Sequence, residues 1–186
     1  MTAMPETLHP IDIASLSLRE VAQAAEGRQL PPVEQWNPAH CGDSEMRIAR
    51  DGTWYHQGAP IKRVALVRQF SRILRREPGG SYVLVTPGEK LTIEVELAPF
   101  VATAMTSEGS GRERQIAFGL NSGDAVVLGP GHGLRMAGEV PLIHVRSGLE
   151  ASLARPVYYE LAELALAESP DAPGVWSGGL FFPLQA

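Results

Sequence analysis

From Ser81 onward turn residues cut the chain into short apolar runs, and that punctuation restricts the available folds more than any other feature. SYVLVT and KLTIEVE flank Pro87-Gly88. FVATAMT, RQIAFGL, DAVVLG, LRMA and PLIHVR follow at near-regular spacing, separated by SEGSG, NSGD, GPGHG and GEV. Alternating apolar residues over such short runs suit pleated strands with one buried face. About seven strands joined by glycine- and proline-rich links predict an antiparallel barrel or sandwich. Pro87-Gly88 has the composition of a type II turn.

The residues before Ser81 carry a different pattern. Ser17 and Glu20 form a capping box, Leu18, Val21 and Ala25 supply a modest apolar face, and Gly27 ends this short helix. Three prolines in LPPVEQWNPAHCGD rule out regular structure there, and Val33 and Trp36 are the expected anchors of that segment. Residues 45–57 predict a hairpin with a type I′ turn at Asp51-Gly52. That register pairs Ile48 with Tyr55 and Met46 with Gln57, and sets Arg47 with His56 beside Trp54. From Pro60 to Arg76 the spacing of Leu66, Val67, Phe70, Ile73 and Leu74 predicts a helix with a buried stripe. Arg68, Arg72, Arg75 and Arg76 take its other side. A second helical pattern runs from Leu149 to Leu164, where Pro156 either kinks the helix or starts its later half. The apolar tail GVWSGGLFFPLQA is expected to dock on the body.

These patterns predict an α+β chain with an N-terminal lobe over residues 1–80 and a β-rich C-terminal lobe over 81–186. The formal net charge of −5 gives no general attraction to nucleic acid or anionic lipid, so neither is an expected partner. One cysteine precludes an intramolecular disulfide. The first residues lack the basic and uninterrupted apolar regions of a signal peptide, and no run is long enough to span a bilayer. A cytoplasmic protein is therefore expected. The five histidines lack the spacing of a metal site, and no cofactor motif is present. GPGHGLR lacks the lysine and following helix of a phosphate loop and reads as a turn. Cys41 beside His40 is expected to be a buried structural thiol, so no catalytic residue is assigned.

One stretch is echoed. WYHQGAPIKRVALV and IHVRSGLEASLARPVYY both run strand, glycine, aliphatic, arginine, helix. Such self-similarity predicts either a duplicated strand-then-helix motif or a common form of junction. Duplication would set two lobes face to face with a ligand groove between them.

The blocks MRIARDGTWYHQGAPIKRVALVRQF, YVLVTPGEKLTIEVELAPFVA, NSGDAVVLGPGHGLRM and HVRSGLEASLARPVYYEL resemble, in order and spacing, the proteobacterial family called domain of unknown function 1285. The resemblance implies a duplicated two-lobed fold whose C-terminal lobe is a pleckstrin-homology-like barrel closed by a helix. It also implies a role in signal transduction with a nucleotide-like ligand between the lobes.

Residues 52–76 contain arginine and lysine but no acidic residue, a local basic concentration suited to phosphate or an acidic partner. The ligand-binding candidates are Arg47, Arg63, Lys90 and Arg146 for charge, with Tyr159 as an aromatic wall. The expected function is non-catalytic binding of an anionic or nucleotide-like small molecule. The alternatives are an adaptor gripping an acidic protein partner through the arginine helix, and a phosphoester hydrolase.

Overall fold

The computed structural model describes residues 9–185. Helix α1 (Leu18–Glu26) begins at the expected capping box: Ser17 Oγ accepts the Glu20 N–H at 3.3 Å, and Glu20 Oε2 accepts the Ser17 N–H at 2.8 Å. Leu18 and Val21 are buried with Ile13, Ala117 and Ala125 in a small core of their own. Ala117 and Ala125 belong to the C-terminal sheet, so α1 rides on that lobe although it comes first in the chain. The alanines provide a shallow apolar surface that two large aliphatic side chains can cover. Beyond it the chain crosses to the N-terminal lobe. Val33 and Trp36 are held there by their carbonyls, each accepting from Arg75 Nη1 at 2.7 Å, rather than by burial of their side chains.

The N-terminal sheet contains β1 (Cys41–Ile48), β2 (Trp54–His56), β3 (Ala59–Pro60), β4 (Leu74–Arg76), β5 (Tyr82–Val85) and β6 (Lys90–Val95), with α2 (Val64–Arg72) between β3 and β4. Its order is β3-β2-β1-β6-β5-β4, and the central pair β1–β6 is parallel. The sheet therefore takes in residues up to Val95, and the lobe boundary falls between Val95 and Phe100 rather than at residue 80. The strands that follow Ser81 complete the first lobe before the second begins.

Three local expectations change. The β1–β2 hairpin pairs Ile48 with Trp54 and Arg47 with Tyr55, one residue out of the expected register. Gly52 at φ +88° closes a longer loop with the Ala49 N–H bonded to the Thr53 carbonyl, in place of a two-residue turn. A one-residue slip moves every side chain to the other face. Trp54 and Ile48 thus share the core, and Arg47 lies over the Tyr55 ring at 4.3 Å. Secondly, α2 stops at Arg72 because Leu74–Arg76 pairs with Tyr82–Leu84 across the Pro78-Gly79-Gly80 turn. Thirdly, Gly88 does not take a positive φ, so Pro87-Gly88 is not a type II turn although Thr86 and Glu89 still close it. Cys41, expected to be buried, is exposed at the start of β1.

The C-terminal lobe contains β7 (Phe100–Glu108), β8 (Gln115–Leu120), β9 (Ala125–Val127), β10 (Leu134–Ala137), β11 (Val140–Arg146) and β12 (Leu149–Leu153), followed by α3 (Arg155–Glu168). Pro156 lies in the first turn of α3, so it starts the helix. The tail forms a hairpin, β13 (Gly174–Ser177) with β14 (Leu180–Pro183), and docks through Val175 and Phe182. The sheet order is β10-β11-β12-β7-β8-β9, again with a central parallel pair, so neither sheet is purely antiparallel. Only residues 128–133 link the two edge strands, and Gly129 and His132 form a tight turn within them. A flat six-stranded sheet would put its edges ~24 Å apart at ~4.8 Å per strand. A link that spends residues on a turn cannot cover that distance, so the sheet curls into a half-barrel.

Both sheets start at the centre, run outward over three strands, cross to the far edge and return, the sixth strand parallel to the first. This shared order is the two-lobed repeat. The echoed sequences are also alike locally: Gln57-Gly58 has φ values of +49° and +80°, and Ser147-Gly148 has +46° and +76°, so each is a positive-φ hairpin turn. They occupy different places, however. β3 is an edge strand whereas β12 is central, so the motif that betrays the repeat is not the motif that is repeated. A single main core runs through both lobes, from Ile48 and Trp54 through Phe100 and Phe118 to Leu184.

Candidate functional site

Helix α2 is wedged between the lobes. Val67 and Phe70 pack into the core, with Phe70 stacked on Trp54 at 6.1 Å. Because α2 spends this face on the first sheet, Arg68 and Arg72 turn to the C-terminal lobe. Gly123 makes room for Arg68: a Cβ placed there would stand 3.2 Å from Arg68 Nε, and its φ of +87° favours glycine in any case. Arg72 Nη2 donates to the Gln29 carbonyl at 3.1 Å. From the other side Arg146, at the end of β11, donates to the Ser71 carbonyl of α2 at 2.7 Å. Arg28, just past α1, donates to the Gly123 carbonyl at 3.2 Å and to that of His9.

Two of these four guanidinium groups, Arg28 and Arg146, share one carboxylate. Asp124 lies 3.0 Å from Arg28 Nη1 and 4.0 Å from Arg146 Nη1. Its second oxygen also accepts from Ser122 Oγ at 2.9 Å. With Glu26, which lines the adjoining cleft, four guanidiniums are set against two carboxylates in this region. Burial holds the Arg146 pKa below the usual guanidinium value; Asp124 opposes that shift and Arg72 adds to it. Among the described residues, the buried Nε atoms of Arg68 and Arg72 have no hydrogen-bond partner. Buried donors of this kind are rare and need a partner, in protein, water or ligand.

A cleft of about 460 Å³ opens beside the cluster. Glu26, Arg28, Asp124, His132 and Arg146 are its polar lining residues, while Ala22, Ala25, Val126 and Val145 are among its apolar wall residues. His132 Nδ1 lies 3.0 Å from the His144 carbonyl, so Nδ1 carries the proton there.

Of the five candidate residues, only Arg146 is in this cluster. Arg47 is half-exposed and paired with Glu96. Lys90 Nζ is 4.0 Å from Glu77. Arg63 is the exposed N-cap of α2, and Tyr159 is 57% exposed on α3, away from the cleft. Nor does the arginine helix present a solvated face. Arg75 is on a strand, buried and bonded to Glu77, while Arg76 reaches the Gly148 carbonyl at 3.2 Å. The sequence reading missed Arg28 and Asp124. One signal was available: a basic segment without acidic residues needs its counter-charge from elsewhere, and Asp124 follows the turn of NSGD.

The family model described as "Domain of unknown function (DUF1285), N-terminal domain" matches residues 31–98, and "Protein of unknown function (DUF1285), C-terminal domain" matches residues 99–184. The crystal structure of a DUF1285 family protein from Silicibacter pomeroyi DSS-3 is similar at 44% identity. The match covers 89% of this chain and 94% of that one, with a TM-score of 0.79. A DUF1285 family protein from Shewanella baltica OS155 shares the fold at 20% identity, over 63% of this chain and 90% of that one, with a TM-score of 0.50. Curated proteins gave no match. The family boundary at residues 98 and 99 coincides with the change of sheet. Residues 9–30, which supply Arg28 and one wall of the cleft, lie outside both family models.

Proposed function

We propose that this chain, which belongs to the DUF1285 family, holds a small organic anion at the junction of its lobes as a non-catalytic binding module. The observation that carries this reading is a local concentration of arginine: Arg28 and Arg146 share Asp124, while Arg68 and Arg72 nearby each keep a buried Nε without a partner among the described residues. A phosphate or carboxylate entering the cleft beside Arg28 and Arg146 would supply the missing charge through charge-assisted hydrogen bonds. A nucleotide-like compound is one member of that class. The cluster joins α1, α2 and β11, so occupancy would brace elements from both lobes, which is the physical basis for a signalling role. The pleckstrin-like description of the second lobe belongs to the same proposal and is supported by its curled sheet followed by α3. The adaptor alternative has less support, since Arg68, Arg72 and Arg75 leave no continuous outward basic face.

Thermal denaturation against a panel of phosphates, carboxylates and nucleotides is the test. A true ligand at a hundred times its Kd should add about 2.7 kcal/mol of stability. Arg28→Gln should remove that gain. If none of these anions raises the melting temperature, the reading is wrong. Chemical conversion of a bound compound, followed by mass spectrometry, would replace it with an enzymatic one.

A further inference from the structure

One face of α1 changes character along its length. Leu18, Val21, Ala22 and Ala25 recur at the i, i+3, i+4 and i+7 positions of that face, and Arg28 continues the same spacing just beyond the helix. Leu18 and Val21 are large and buried against the C-terminal sheet. Ala22 and Ala25 are too small to reach that sheet as closely, and they border the cleft where it faces Val126 and Val145. The face thus runs from an apolar plug to an apolar gap to a cation, and the gap leads to the polar end formed with Arg146 and Asp124. The cleft volume of about 460 Å³ is in the range of small-molecule sites. Among the described residues its lining contains no Phe, Tyr or Trp against which a nucleobase could stack, and its His132 ring is already stacked on His144 at 6.3 Å.

From this arrangement we infer that the ligand is an amphiphilic anion: a phosphate or carboxylate head at Arg28 and Arg146, with an unbranched aliphatic body along Ala22, Ala25, Val126 and Val145. This inference rests on the anion-binding reading above and narrows it from anions in general to short-chain alkyl or acyl anions, against nucleotides. The head pairs with the Arg28 and Arg146 guanidiniums, in competition with Asp124 and Glu26. The body takes the apolar gap that the two alanines leave open.

Calorimetric titration of the full chain with inorganic phosphate, methyl, butyl and hexyl phosphate, and AMP separates the possibilities. Each methylene taken from water into the cleft should tighten binding about fourfold. Hexyl phosphate should therefore bind far more tightly than methyl phosphate or AMP. Ala22→Leu and Ala25→Leu keep the helix propensity of α1 and fill the gap. Each should erase the dependence on chain length, with an unchanged circular dichroism spectrum confirming the fold. The chain-length series on the unaltered protein needs no variant and stands by itself. If phosphate binds but affinity is flat with chain length, or AMP binds more tightly than hexyl phosphate, the amphiphile inference is overturned and the anion site survives. If neither phosphate, any alkyl phosphate, nor acetate and hexanoate titrated in the same way binds, both fall together.

Discussion

Arg146 and Ser71 are joined by a single hydrogen bond across the two lobes, from a guanidinium at the end of β11 to the last-turn carbonyl of α2, 2.7 Å long. The Arg146 guanidinium carbon also lies 5.2 Å from the centroid of the Phe100 ring, on the first strand of the second sheet. One side chain therefore ties α2 to β11 and contacts the point where the chain passes between lobes. Arg146→Ala should cost about 1.5–3 kcal/mol, the usual worth of a hydrogen bond to a charged group, in urea denaturation. Arg47→Ala removes a pair that is half-exposed and should cost less than about 1 kcal/mol. Equal losses for the two would show that Arg146 does not brace the junction.

Asp124→Asn removes the one carboxylate that Arg28 and Arg146 share. Leaving partly buried guanidiniums without a counter-charge should cost roughly 3–5 kcal/mol. Added phosphate should restore more stability to this variant than to the unaltered protein, because the anion takes over the lost charge. Melting temperatures in chloride and in phosphate at equal ionic strength provide the comparison.

Ser177 is fully buried, and its hydroxyl closes the docked tail onto the second sheet. Its Oγ accepts the Ile116 N–H at 2.9 Å and donates to the Leu128 carbonyl at 2.6 Å. Ser177→Ala strands both groups and should cost about 2 kcal/mol. Ser177→Thr retains the hydroxyl but adds a methyl to a closed site, and should also destabilise. A neutral Ser177→Ala in equilibrium unfolding would mean that the tail contributes no more than its apolar contacts.

Acid should loosen the end of α3. Glu168 Oε1 accepts from Arg114 Nε at 3.1 Å, Arg114 Nη2 at 2.6 Å and the Gly111 N–H at 2.9 Å. The Arg114 hydrogen bonds lower its pKa from the ordinary 4.5, burial opposes that shift, and the Gly111 N–H adds to it. A carboxyl whose folded pKa is depressed contributes stability that is complete above its unfolded value and disappears as pH falls through the folded one. The melting temperature should thus decline below about pH 4.5, and Glu168→Gln should flatten that decline. Parallel curves for the two proteins between pH 2 and 6 would remove Glu168 as the cause.

Much of the local structure is legible in the chain. Ser17 and Glu20 cap α1, Pro156 opens α3, and the alternating runs after Ser81 become strands, because each depends on neighbours a few residues away. The Ile48–Trp54 register shows where that legibility stops: Asp51-Gly52 permits more than one loop, and the burial of Trp54 against Phe70 selects between them. The lobe boundary was missed for a related reason. Strands β5 and β6 have the same alternation as those of the second lobe, and only hydrogen bonding to β1 and β4 assigns them to the first.

By itself, then, the sequence determined periodicity, caps, turns and an excess of positive charge between residues 52 and 76. The tertiary structure alone decided where that charge went. Arg68 and Arg72 would be solvated on an isolated helix, but the core claims the opposite face of α2 and presses the second lobe against them, with Asp124 and Arg28 arriving from distant segments. Helical spacing states which side chains share a face. Which surface meets that face depends on long-range packing, and no local pattern encodes it.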